Sequence, residues 1–86
     1  MKKTFADLYF VQRRNFGKQA RMNFNNGYGI SVLLGEMFYS NGKNTYEVAV
    51  LYDNKLTYNT PITNDVLGWQ TAEQVTEIMS RIQDLK

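Results

Sequence analysis

Histidine and cysteine are both absent from this chain of 86 residues. Without imidazole there is no ordinary general base near neutral pH, and without thiol there is no sulfur nucleophile. Ser-His-Asp and Cys-His catalysis are excluded, together with ordinary zinc sites, which draw on the same side chains. No disulfide can brace so small a domain, which fits a reducing compartment and makes cytoplasm the expectation. Long apolar runs are missing too. Nothing approaches the uninterrupted stretch of about 18 apolar residues that a membrane helix needs, and Asp7, Gln12, Arg13 and Arg14 break any signal-like run after Lys2 and Lys3. The expectation is a chain that neither spans a membrane nor carries a visible secretion signal. Proline occurs once, at Pro61, so little interrupts regular structure before it.

The eight carboxylates do not replace the missing groups. They are scattered over turns and helix faces, and no two form a motif for glycoside hydrolysis or magnesium binding. Glu73 and Glu77 stand one helical turn apart on what reads as a solvated face. The stretch Asn26-Gly27-Tyr28-Gly29 lacks the following helix and the Lys-Ser/Thr pair of a phosphate loop, so it reads as a turn. No catalytic residue, metal ligand or cofactor site is expected, and the chain reads as a binding protein.

What is present is clear periodicity. Val75, Ile78, Met79, Ile82 and Leu85 draw one stripe at helical spacing, and Thr71 with Gln74 makes a capping box in front of it. These predict a helix over about 72–85. Upstream the period is two: Ala20, Met22 and Phe24 share a face, as do Tyr28, Ile30, Val32 and Leu34. Asn26-Gly27 between them predicts a type I′ hairpin joining 18–25 to 28–34. Tyr46 to Tyr52 is apolar on both faces apart from Glu47, as in a central strand, and Glu47 is expected to point outward rather than pair with Lys18 or Arg21. Asp53-Asn54 turns the chain into 56–60, which Pro61 ends. Residues 62–70 read as a connection, with Gly68 at positive φ and Trp69 stapling it to the core. The expected fold is one α+β domain over 1–86, a four-stranded antiparallel meander packed by one C-terminal helix. Residues 1–17 are a basic segment read as short and extended.

Charge is unevenly spread along the chain. Residues 1–21 carry six bases against Asp7 alone, a net of +5, whereas residues 22–86 carry four bases against seven acids, a net of −3. Such asymmetry points to an acidic partner or to a solvated basic arm. Arg13, Arg14, Lys18 and Arg21 surround Phe10 and Phe16, combining phosphate-pairing and base-stacking groups in the manner of a nucleic-acid contact. The alternative has the two rings covering the core. A second candidate surface uses tyrosines, which suit protein interfaces. Met37, Phe38 and Tyr39 in the 35–44 loop, with Tyr46 and Tyr58, form that set. The three loop residues either fold back under the sheet or face a partner.

Three strings, Asn26 to Val32, Tyr46 to Leu51 and Thr60 to Trp69, together resemble small proteins encoded by bacteriophages and prophages. The resemblance covers about residues 20–85. It implies an accessory protein that acts on its host without catalysis, by binding a host protein and blocking it sterically. A defence nuclease complex such as CRISPR is one such target, and transcription or replication machinery is another. The net charge of +2 departs from the strongly acidic faces of DNA-mimicking inhibitors. Open sheet edges also allow pairing between copies, as in a homodimer.

Overall fold

The alternating middle of the chain forms the sheet that its pattern requires. A computed structural model describes residues 2–13, 17–63 and 65–86. After a single 3-10 turn at Phe5–Asp7 come β1 (Val11–Gln12), β2 (Lys18–Asn23), β3 (Tyr28–Leu34), β4 (Tyr46–Tyr52), β5 (Lys55–Leu56), β6 (Leu67–Gln70) and α1 (Ala72–Gln83). All pairings are antiparallel, in the order β1-β2-β3-β4-β5, and β6 pairs with β4 on the same side as β5. The α+β class agrees with expectation. The strand count does not. The second hairpin arm shrinks to Lys55–Leu56, while β1 and β6 join the sheet. Leu67 and Gln70 pair with Val48 and Tyr46, so much of the presumed connection is strand.

Register explains the core. Ala20, Val32 and Val48 stand in one row across β2, β3 and β4, and Met22, Ile30 and Val50 in the next. This face meets Val75, Ile78, Met79 and Ile82, the buried stripe of α1. The helix starts as the sequence predicts: Gln74 N–H donates to Thr71 Oγ1 at 3.2 Å, and Thr71 N–H donates to Gln74 Oε1 at 2.8 Å. Its far end is capped from the sheet. Asn26 Nδ2 donates to the carbonyls of Ile82 and Leu85 at 2.9 and 3.0 Å, tying the helix end to the hairpin; Ile82 O also accepts from Leu85 N–H at 3.0 Å.

The turn carrying Asn26 is not type I′. Gly27 N–H donates to Phe24 O and Phe24 N–H donates to Tyr28 O. Of the turn residues only Gly27 has positive φ, at 89°. This is the three-residue loop with a glycine bulge, the next most common hairpin solution. The two-residue turn with positive φ at both positions occurs instead at Asp53 and Asn54, with φ of 52° and 66°.

The N-terminal segment straps the helix to the sheet. Lys2 pairs with Asp84 at 2.8 Å, Lys3 exchanges backbone hydrogen bonds with the Gln83 amide, and Phe5 N–H donates to Thr76 Oγ1. The rings of Phe5 and Phe10 close over Tyr46, with centroids 5.0 and 5.8 Å from it.

Candidate interaction surface

The helix covers one face of the sheet; the other faces away from it and is open only in part, since Ser31, Ala49 and Leu51 on it are buried. Alternation puts Gln19 and Arg21 of β2, Ser31 and Leu33 of β3, and Glu47, Ala49 and Leu51 of β4 on the open face. With Arg13, Leu56 and Val66 they line a depression of about 230 Å³. Leu51 is only 1% exposed, yet it stands outside the helix-side core, next to its β5 partner Leu56. Gln19 Nε2 donates to Ser31 Oγ at 3.0 Å, which satisfies the polar part of the floor.

Both arginines of this face are held in place. The Arg13 guanidinium carbon lies 5.6 Å from the centre of the Phe38 ring, a cation–π arrangement. Arg21 Nη2 donates to the Asn54 carbonyl at 2.9 Å and to its side-chain oxygen at 3.2 Å. Among the described residues only Lys2 and Asp84 form an ion pair, so neither arginine is in direct contact with a carboxylate, although Glu47 lines the same depression.

Beside this depression stands a rigid aromatic rim. The 35–45 loop is tied by its own polar side chains: Asn41 Oδ1 accepts from the N–H groups of Lys43, Asn44 and Thr45, and buried Ser40 accepts from Gly35 and Gly42. The loop is locked to the sheet through Tyr39, whose N–H donates to Glu47 Oε1 at 3.0 Å and whose carbonyl accepts from Trp69 N–H at 2.9 Å. Between the pairs Tyr46–Gln70 and Val48–Leu67, β6 sets two residues, Gly68 and Trp69, against Glu47 alone. That is a β-bulge, a device that re-aims a side chain. Gly68 is required there because a Cβ would come within 2.6 Å of Tyr39 Cβ.

The left-handed residue of the bulge is not Gly68 but Trp69, at φ 57°. A bulky residue in that region costs about 1 kcal/mol or more. Trp69 is also 58% exposed and Tyr39 59% exposed. Trp69 is therefore no staple for the core, as its position before the helix suggested, and the strain it carries is not repaid by burial.

The predicted contact residues divide. Met37, Tyr39 and Tyr58 are exposed, and Phe38 lies half-buried under Arg13. Tyr46 is corrected: at 9% exposure it belongs to the helix-side core beneath Phe5 and Phe10, because its alternation partners are Val48 and Val50. Tyr28 and Tyr52 pair on that same side, ring centroids 4.8 Å apart, so the tyrosine-bearing face is not the open one. Among the described residues Glu47 forms no ion pair with a base; it accepts from Tyr39 N–H.

Of the basic set, Arg13 and Arg21 meet on the open face. Lys18 points away from them and lines a separate depression with Gln12, Leu34 and Met37. Phe10 packs on Tyr46 rather than offering a stacking surface. Arg14 and Phe16 lie outside the described residues. Trp69 is the member of this surface that sequence reasoning misplaced. Glycine directly before an exposed aromatic was the available signal, and it reads as a bulge only once the partner strand is known.

Among the described residues no three carboxylates converge where they could hold a metal ion, and no helix is long and apolar enough to cross a membrane. No protein-family model, curated protein or solved structure matches the chain.

Proposed function

We propose that this chain acts by contact with a partner protein rather than by catalysis, and that Tyr39 and Trp69, with exposed Met37 of the same loop as Tyr39, belong to its contact surface. The observation that carries this reading is Trp69: exposed, backbone-strained, and fixed by hydrogen bonds to a loop that is itself internally braced. Strain retained without burial has its usual explanation in function. Large aromatic side chains presented on a rigid frame bind with little ordering cost. The likeness to phage-encoded proteins names the infected host's proteins as the pool in which to seek the partner, with defence complexes among them.

The test is comparative capture from host lysate with tagged wild type, Trp69→Gly and Tyr39→Ala. A protein retained by wild type and lost by both variants, each still folded by circular dichroism, supports the reading. Equal capture by all three overturns it. Nucleic acid is the second reading, favoured by Arg13 and Arg21 on one open face.

A further inference from the structure

We propose that the open face of the sheet receives an apolar side chain of the partner protein, flanked on both sides by carboxylates. This rests on the contact reading above and gives the partner's chemistry. Leu33, Leu51, Leu56 and Val66 supply an aliphatic floor, and Arg13 and Arg21 stand toward its two ends. Arg13 N–H bonds Gly17 O at 2.7 Å, and Gly17 lies four residues from Arg21 along the strand direction. At a strand rise of about 3.3 Å per residue, the two backbone positions are about 13 Å apart, and the side chains reach on from there to Phe38 and to Asn54.

An extended segment repeats side chains on one face every second residue. Carboxylates two or three residues to either side of a leucine-sized side chain therefore match this spacing. Charge complementarity is what selects the occupant. Both guanidinium groups lack an acidic partner among the described residues, and both are already oriented, one by the Phe38 ring and one by Asn54. Binding then sacrifices little side-chain freedom.

A nucleic acid fits this surface less well. Stacking sites need exposed rings along the track of the strand; Tyr39 and Trp69 stand exposed on the rim, but between the arginines the floor is aliphatic and the Phe38 ring is occupied by Arg13. The Glu47 carboxylate also lines the depression, where a continuous row of phosphates would meet it. Discrete acids at either end avoid it.

The experiment is an NMR titration of the ¹⁵N-labelled full chain with short acidic peptides that carry a central leucine and glutamates two or three residues to either side. We expect saturable shifts centred on the amides of Leu33, Ala49 and Leu51. Replacing the central leucine by serine should weaken binding about tenfold. Arg13→Glu and Arg21→Glu, each with an unchanged melting temperature, should weaken it about tenfold as well. If a charge reversal impairs folding, Arg13→Gln and Arg21→Gln with a salt series replace it, and affinity should fall as salt rises.

No shift on this face with any peptide overturns the proposal. So does indifference to the leucine or to both arginines, and so does an oligothymidylate that binds the same face more tightly than every peptide. Failure here with partner capture still lost in Trp69→Gly removes the groove assignment and leaves the contact reading standing. Capture unaffected by Trp69→Gly and Tyr39→Ala removes the contact reading itself.

Discussion

The two faces of the sheet are built from the same strands to opposite ends. On the helix side, Ile30, Val32, Val48 and Val50 are closed off by Val75, Met79 and Ile82, and their burial provides the drive to fold. On the other side the alternate residues of β3 and β4, among them Ser31, Leu33 and Ala49, meet no helix, and the groups around them are loops, two arginines and a bulge. One face uses its apolar residues for stability. On the other, Ser31, Ala49 and Leu51 are buried as well, and what reaches solvent is Leu56, part of Leu33 and the two arginines around them. A strand that is apolar on both faces thus need not be covered on both faces by regular structure.

Substitutions on either side of the sheet can break or sharpen this contrast. The largest effect is expected from Ile82→Ala, which removes a fully buried side chain of the helix stripe and should cost about 3 kcal/mol in urea unfolding. Leu33→Ala on the open face, where the side chain is only half-buried, should cost less than about 1 kcal/mol. Equal losses would erase the distinction.

Next comes Asn26→Ala. It withdraws the two bonds that tie the Ile82 and Leu85 carbonyls to the hairpin, Ile82 O keeping the one from Leu85 N–H, so it should cost about 1–2 kcal/mol and raise hydrogen exchange in the final turn. Thr71→Ala removes the opposite cap and should cost about 1 kcal/mol, with Thr71→Ser restoring most of it. Smallest is Lys2→Ala. Its ion pair with Asp84 is largely solvent-exposed, so the loss should stay below about 0.5 kcal/mol and vanish at high salt.

The helix-covered face was legible because its signals are local and periodic. Val75 to Ile82 show the stripe, Thr71 and Gln74 show the cap, and the alternation from Ala20 to Leu34 shows the first hairpin. What escaped depends on partners distant in sequence. Leu67-Gly68-Trp69-Gln70 has neither alternation nor β-branched residues, and it becomes a strand only because β4 offers it an edge past the short β5. The same pairing makes the bulge that exposes Trp69. Tyr46 resembled an interface tyrosine by composition, and only its register with Val48 and Val50 shows that it is core. Asn26-Gly27 announced a turn correctly, but as a three-residue loop whose Asn26 reaches the distant helix end rather than as type I′.

The most direct test of the account is the unfolding free energy of Trp69→Gly, followed by far-UV circular dichroism because Trp69 is the chain's single tryptophan. Relief of the left-handed strain should offset the lost partial packing and the added freedom of glycine, which leaves stability within about 1 kcal/mol of wild type. A loss of about 3 kcal/mol or more, the size expected on removing a buried tryptophan, would make Trp69 a structural anchor and contradict its assignment to the contact surface.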